Sequence, residues 1–337
     1  MNIVISSKRY LPILGGSVRY AEMLACGFRR AGHEVRILTR TPGEPLPNVL
    51  RSPGGPEHRA LARWADVVLQ VDASWRDIWP FLLQGVPWFP TAHFGRDSGR
   101  LPWRKRLAYL SLKLAFKVGR PIPVGHDVAK SWGLKTPPIL NPYDDEIFRP
   151  AEPASLRDID VLFVGRIERS KGVFVLVEAL HRLESKLPYE INCVFVGDGV
   201  DDPALRAATM EVAKGRTRYL HVGRQEPEAV ANWMRRSRLL VFPTTPEWIE
   251  ANPFTPLEAV ACGCRVIASD NGGTRENLGG NGRLVESGSV ESLEGALFEE
   301  LAAVPPRSAV GLPNPDLDGR RLNEVTYHYL KRFKDAL

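Results

Sequence analysis

Residues 242–276 read FPTTPEWIEANPFTPLEAVACGCRVIASDNGGTRE, and the fold is decided by how this stretch is parsed. It contains a strand end, a loop, a Pro-started helix, a second strand and a Gly-Gly turn. Two glutamates, Glu250 and Glu258, stand with seven residues between them. Ligands of open α/β sheets bind at the carboxyl ends of the strands. A carboxylate placed there can accept hydrogen bonds from sugar or ribose hydroxyls. Glu258 has a second, structural reading, because Thr255-Pro256-Leu257-Glu258 also fits a capping box with Pro256 at the first helical position. Glu250 lies in the loop between Trp248 and Pro253, where the alternative is a solvated acid.

Working outward, short β-rich runs alternate with helical patterns, the signature of parallel α/β layers. In the first half strands are predicted at Ile3–Ser6, Val35–Thr39, Val67–Val71, Trp88–Thr91, Ile122–Val124 and Ile139–Leu140. Helices are predicted at Val18–Arg30, Arg59–Trp64, Arg104–Lys117 and Asp127–Trp132. In the second half strands fall at Val161–Val164, Asn192–Val196, Tyr219–Val222, Leu239–Phe242, Arg265–Ala268 and Arg283–Val285. Helices there fall at Val173–Lys186, Pro203–Lys214, Pro227–Arg235, Pro256–Cys262 and Val290–Val304. A chain of 337 residues suits two domains. The polar, Pro-rich run Phe148–Pro153 marks the boundary, giving one domain over 1–148 and a second over 149–316. A Pro/Gly-rich stretch from Pro305 to Pro315 then leads to a terminal helix within 317–337. Two doubly wound α/β domains facing across a cleft are expected.

Composition narrows the function classes. No apolar run reaches the length of a membrane span, and Met1 leads directly into a strand, so neither a transmembrane segment nor a signal peptide is expected. Cys26, Cys193, Cys262 and Cys264 are scattered through apolar segments without a metal-ligand spacing, pointing to a reduced, cytoplasmic compartment and no metal. The formal charge of +6 is localised. Residues 100–120 hold seven basic residues (Arg100, Arg104, Lys105, Arg106, Lys113, Lys117 and Arg120) and no acid, leaving 38 basic against 39 acidic elsewhere. Leu107, Leu110, Leu114 and Val118 recur there at helical spacing. Such a basic amphipathic helix suits an anionic membrane surface or a phosphate-bearing acceptor; the alternative is a core-packed helix with a solvated basic face. No nucleic-acid module is recognisable, so nucleic acid is not an expected partner.

Three features suit phosphate. Gly15-Gly16-Ser17 opens the helix after the first strand, where backbone amides make an anion site. Arg166, at the end of the Val161–Val164 strand, and Lys171, at the start of the next helix, share one short loop and can neutralise a diphosphate. Asn252, Phe254 and Thr255 lie at a helix N-terminus, which favours negative charge. A nicotinamide dehydrogenase is disfavoured, because no G-x-G-x-x-G follows an early strand with the expected acid beyond it. Asp158-Ile-Asp160 leads straight into a strand, so it does not read as a metal-binding pair.

GGSVRYAEMLACGFRRAGHEVRILT, VGRIERSKGVFVLVEAL, VGDGVDDPALR, HVGRQEPEAVANWMRRSRLLVFPT and the E-x7-E pair of Glu250 and Glu258 occur in this order. The ordered set resembles the retaining nucleotide-sugar glycosyltransferases of family four, over nearly the whole chain. The resemblance implies the GT-B fold, with two Rossmann-like domains and a C-terminal helix crossing back to the first. It implies an enzyme moving a hexose-type sugar from a nucleoside-diphosphate sugar to a glycan or lipid-linked acceptor, with retention and without a metal or other cofactor. Arg166 and Lys171 would hold the diphosphate, aided by amides near Gly16. Glu258 would bind the ribose and Glu250 would face the donor sugar. His93, in FPTAHFG, matches the family's active-site histidine. Peripheral placement at the inner face of the membrane would follow from a lipid-linked or cell-envelope acceptor. A non-catalytic subunit that binds sugar nucleotides is the alternative. Asn252-Pro253 stands where the family often has Phe-Gly, and Gly125 replaces a usual serine; these departures leave the acceptor open.

Overall fold

The computed structural model describes residues 1–13, 15–71, 73–94, 103–151, 157–212, 215–303, 317 and 319–337, with 103–105 described by backbone alone. Arg100, the stretch Pro305–Pro315, Lys214 and the boundary residues Glu152 and Pro153 lie outside the described residues. The chain forms two compact units, Met1–Pro142 with Gly319–Leu337, and Tyr143–Asp318. The second unit therefore starts at Tyr143 rather than at residue 149. Tyr143 and Phe148, at 6% and 1% exposure, are buried in its core and draw the intervening segment with them.

The first unit contains β1 (Asn2–Ser7), α1 (Gly16–Arg30), β2 (Glu34–Thr39), β3 (Val49–Arg51), α2 (Gly55–Trp64), β4 (Val67–Val71), α3 (Trp75–Leu83), β5 (Trp88–Ala92), α4 (Trp103–Val118), β6 (Ile122–Pro123) and α5 (His126–Trp132). Its strands form a six-stranded parallel sheet in the order β3-β2-β1-β4-β5-β6. The second unit contains β7 (Ile159–Val164), a 3₁₀ turn (Arg169–Lys171), α6 (Val173–Leu183), β8 (Ile191–Val196), α7 (Asp202–Val212), β9 (Thr217–Gly223), α8 (Pro227–Arg236), β10 (Ser237–Phe242), α9 (Phe254–Ala261), β11 (Arg265–Ser269), α10 (Thr274–Leu278), β12 (Arg283–Val285) and α11 (Val290–Ala303). Its sheet runs β12-β11-β10-β7-β8-β9, again parallel. Both orders reverse direction once, beside β1 and β4 in the first unit and beside β7 and β10 in the second. That reversal is where doubly wound sheets open a crevice for ligands.

The apolar runs become strands because both sheet faces are covered. In the second unit Val161, Phe163, Cys193, Phe195, Leu239 and Val241 enter one core with α6 and α11. The alternating residues Leu162, Val194, Val196, Leu240 and Phe242 enter the other, with α8 and α9. Burial pushes the Cys264 thiol up to about 12 and the Cys193 and Cys262 thiols higher still, so these cysteines stay protonated and inert.

The terminal helix α12 (Leu322–Lys334) lies with the first unit. Phe333 packs against Phe28 and Phe89, with ring centroids at 5.6 and 4.7 Å, and the buried hydroxyls of Tyr20 and Tyr329 bond to each other. Several expectations need correction. Ile139–Leu140 is not a strand, since Ile139 makes only a single backbone bond to Pro123. β3 and α3 were not expected; β3 is only three residues long, and α3 carries Pro80 in its interior, which sequence rules count against a helix. On α4, Ala115 and Phe116 are buried, while Leu107, Leu110, Leu114 and Val118 are all more than half exposed.

One buried side chain fixes the helix that carries Glu258. Arg157, 8% exposed, donates through Nη1 to the carbonyls of Met234 and Ser237 and through Nη2 to those of Cys262 and Gly263. It thereby satisfies the C-terminal carbonyls of both α8 and α9, where a cation also meets the negative helix end. Arg157→Ala is expected to cost at least about 3 kcal/mol, since charged hydrogen bonds contribute about 1.5–3 kcal/mol each. Urea unfolding of the variant checks this.

Candidate active site

The reversal beside β7 and β10 assembles the best-defined polar cluster. β7 ends at Val164, and the chain passes through Gly165 and Arg166 into the 3₁₀ turn that ends at Lys171. β10 ends at Phe242 and continues as Pro243-Thr244-Thr245 towards Glu250. The two loops touch directly, for the Thr245 amide and hydroxyl both donate to the Ser170 carbonyl, at 3.0 and 3.3 Å. Gly172 makes this approach possible. Its φ is +74°, and a Cβ there would sit 1.9 Å from the Pro243 carbonyl oxygen. A third loop closes behind Glu250. Asn271 Nδ2 donates to the carbonyls of Thr245 and Trp248 at 2.9 and 2.8 Å, and the Gly273 amide donates to the Glu250 carbonyl at 2.8 Å. Side chains at Gly272 or Gly273 would strike the carbonyls of Glu250 and Ala251.

Within this frame Lys171 Nζ donates to Glu250 Oε1 at 2.6 Å, and Thr244 Oγ1 donates to the same oxygen at 3.2 Å. The two charged side chains are only 13% and 10% exposed. Arg166 pairs with Glu168 in a more open setting. Trp248 lies beneath both cations, its ring centroid 4.9 Å from Lys171 Nζ and 5.4 Å from the Arg166 guanidinium. Each contact is a cation–π interaction. Thr244, Trp248, Glu168 and Asn271 were not singled out from sequence. Position was the signal for three of them, Thr244 and Asn271 lying two residues after a strand end and Trp248 two before an acid, while Glu168 carried none.

The helix carrying the second glutamate starts earlier than expected. α9 begins at Phe254 with Pro253 as its N-cap, and no side chain caps it. Thr255 is already inside the first turn, so the capping-box reading of Thr255 and Glu258 is wrong. Pro256 is tolerated there because first-turn amides have no intrahelical acceptor. Glu258, one turn further on, is 1% exposed. Asn252 and Phe254 are also buried, Thr255 is half-buried, and Asn277 Nδ2 donates to the Pro253 carbonyl. Asp158 pairs with Arg236, and Asp160 with Arg238. Among the described residues no group of three or more His, Cys, Asp or Glu could hold a metal.

Gly15, Gly16 and His93 belong to the first unit. Gly15 is the N-cap of α1 at φ +157°, and both glycines are exposed at a helix start that has no acid in its first turn. The amides opening α1 are thus presented where an anion can reach them. His93 follows β5. Thr91 Oγ1 donates its one proton to the Gln70 carbonyl at 3.1 Å, so it accepts from His93 Nε2 at 2.8 Å, which fixes the ε-protonated tautomer. The Tyr20 ring meets the imidazole edge-to-face at 4.5 Å.

The second-unit cluster gives a testable consequence. In Gly172→Ala the left-handed backbone alone costs about 1–2 kcal/mol, and the overlap with Pro243 adds to it. Urea unfolding should show a clear drop in midpoint; an unchanged midpoint would mean that the two loops have slack.

Comparison with known proteins bears on the family and the fold. A family model described as Glycosyl transferases group 1 matches residues 158–302. The alpha-maltose-1-phosphate synthase of Mycolicibacterium smegmatis is 30% identical over 266 residues, covering 67% of this chain and 66% of that protein. The D-inositol 3-phosphate glycosyltransferase of an Arthrobacter species is 32% identical over 148 residues, covering 41% of this chain and 34% of that one. The chain thus matches less than two thirds of the length of either relative. Among solved structures, HepE of Anabaena in complex with UDP superposes with a TM-score of 0.79 at 14% identity, covering 99% of this chain and 100% of HepE. A glycosyltransferase from Rickettsia africae gives 0.77 at 17%, covering 99% and 98%. Residues 158–302 thus match the glycosyl transferases of group 1, and the two six-stranded parallel sheets have the GT-B fold.

Proposed function

We propose that this protein is a glycosyltransferase that moves a hexose-type sugar from a nucleoside-diphosphate sugar to a glycan or lipid-linked acceptor, with retention at the anomeric carbon and without a metal. The observation that carries this reading is the convergence of Arg166, Lys171, Thr244 and Glu250 at the ends of β7 and β10. Glycosyl transfer leaves a diphosphate with additional negative charge. Arg166 and Lys171 supply fixed positive charge for it, which is preorganised electrostatic stabilisation of the leaving group. The amides opening α1 at Gly16, on the first unit, are a further candidate for binding phosphate. Glu258, on the first turns of α9, takes the ribose hydroxyls, while Asn252, Phe254 and Thr255 shape the approach to that helix. Glu250 takes the donor sugar, and His93, on the first unit, is the candidate for stabilising developing positive character. The complexes of HepE with UDP and with UDP-glucose support a nucleotide-sugar donor.

The experiment is a thermal-shift panel of UDP, GDP and ADP with their sugars, run without and then with magnesium. A ligand that binds only the folded state raises the melting temperature. One base should give a shift without metal, and Lys171→Ala should weaken its binding by about 10–100-fold, the range of a charged hydrogen bond. Proton NMR of the sugar released from the matching donor then reads the stereochemistry. Absence of any shift would favour a non-catalytic role.

For the acceptor, α4 supports docking on an anionic membrane surface. Its exposed apolar stripe of Leu107, Leu110, Leu114 and Val118 is flanked by exposed Arg106, Lys113, Lys117 and Arg120, with no acid in 106–120. Among the described residues no helix is long and apolar enough to cross a membrane, so the contact would be peripheral. Basic residues near such a surface contribute about 1 kcal/mol each. Combined reversal of Arg106, Lys113 and Lys117 to Glu should abolish flotation with phosphatidylglycerol vesicles. Undiminished flotation would remove this surface from the reading.

A further inference from the structure

The two cations assigned to the diphosphate are both already occupied by carboxylates of the chain itself. Lys171 is held by Glu250 at 2.6 Å, with Thr244 anchoring the same glutamate oxygen, and Arg166 is held by Glu168. We propose that these glutamates are internal counter-ions of the donor-free protein, and that the diphosphate takes Lys171 by displacing Glu250, which then turns to the sugar. This rests on the donor-binding reading of the site and concerns how that site is emptied and filled.

The argument is electrostatic. A cation that is 13% exposed has lost most of its water, so leaving it unpaired is costly. Glu250 removes that cost while the site is empty. A phosphate oxygen needs the position that Glu250 Oε1 holds, and the two anions repel if they share one ammonium. An intact donor offers sugar hydroxyls as new partners for the displaced carboxylate. A nucleoside diphosphate offers none, so Glu250 competes with it for Lys171. The pair therefore favours the full donor over the spent nucleotide and speeds product release. Arg166 and Glu168 act in the same sense but weakly, since their side chains are 48% and 23% exposed and better screened.

Calorimetric titration of wild type, Glu250→Gln and Glu168→Gln with UDP, GDP, ADP and pyrophosphate tests this. Glu250→Gln should bind the nucleoside diphosphate about ten-fold more tightly, the scale of one closely held charge pair. The same variant should lose release of sugar from the matching nucleotide sugar. Glu168→Gln should bind about two-fold more tightly, as suits an exposed pair. A glutamate with a purely structural task would lower both binding and turnover when replaced. Equal or weaker binding by Glu250→Gln, where wild type binds, overturns the counter-ion proposal and leaves the donor reading standing. If wild type binds none of the four ligands, the donor reading falls and takes the proposal with it. If Glu250→Gln loses its cooperative melt, Glu168→Gln decides: tighter binding supports the proposal, and unchanged binding overturns it.

Discussion

The second unit depends on how closely the loop after β7 approaches the loop after β10. Ser170 accepts two hydrogen bonds from Thr245, and Gly172 faces the Pro243 carbonyl across a gap that holds no side chain. That contact brings a cation from one loop against an acid from the other, although Lys171 and Glu250 are 79 residues apart in the chain. The sheet order makes the approach available, because β7 and β10 are neighbours at the point where the winding reverses. The glycines at 172, 272 and 273 then let three backbones meet at distances that any Cβ would prevent.

Rigid support and charge are separated in this arrangement. Asn271, Asn277 and Arg157 hold carbonyls on the loop and helices around the site. The charged groups are held instead by one another and by the Trp248 ring. A ligand that exchanged these ionic partners would leave the Asn271 and Ser170–Thr245 hydrogen bonds in place. Preorganisation resides in the scaffold, and the side chains remain free to change partners.

Much of this could be read from residues alone, and the failures have physical causes. Strands buried on both faces leave near-continuous apolar runs, so β7, β8, β10 and β11 are legible within a residue or two. α3 is hidden by its own Pro80, and β3 is too short to carry a pattern. The start of α9 was misread because a Thr-Pro pair imitates a cap, whereas Pro253 with extended backbone turns the chain two residues sooner. Arg166, Lys171, Glu250 and Glu258 are recognisable by spacing and order. Their pairing is not, since whether Lys171 meets Glu250, Glu168 or solvent depends on loop contacts between distant segments. Trp248 and Thr244 escaped for the same reason, because their importance lies in what they touch.

The pairing of Lys171 with Glu250 and of Arg166 with Glu168 answers a conflict that any site for a diphosphate would face. Strong binding requires cations shielded from water, where charge acts at lower effective dielectric. The same shielding makes those cations unfavourable before the ligand arrives. Leaving the site open to solvent would resolve the conflict but weaken every interaction with the leaving group. Closing it around a bare lysine would destabilise the fold or lower the lysine's charge. Supplying a carboxylate on a loop that the ligand can move meets both demands, provided the displaced acid has somewhere useful to go. In the proposed function that destination for Glu250 is the donor sugar, so the group that neutralises Lys171 would also be the one to engage the substrate.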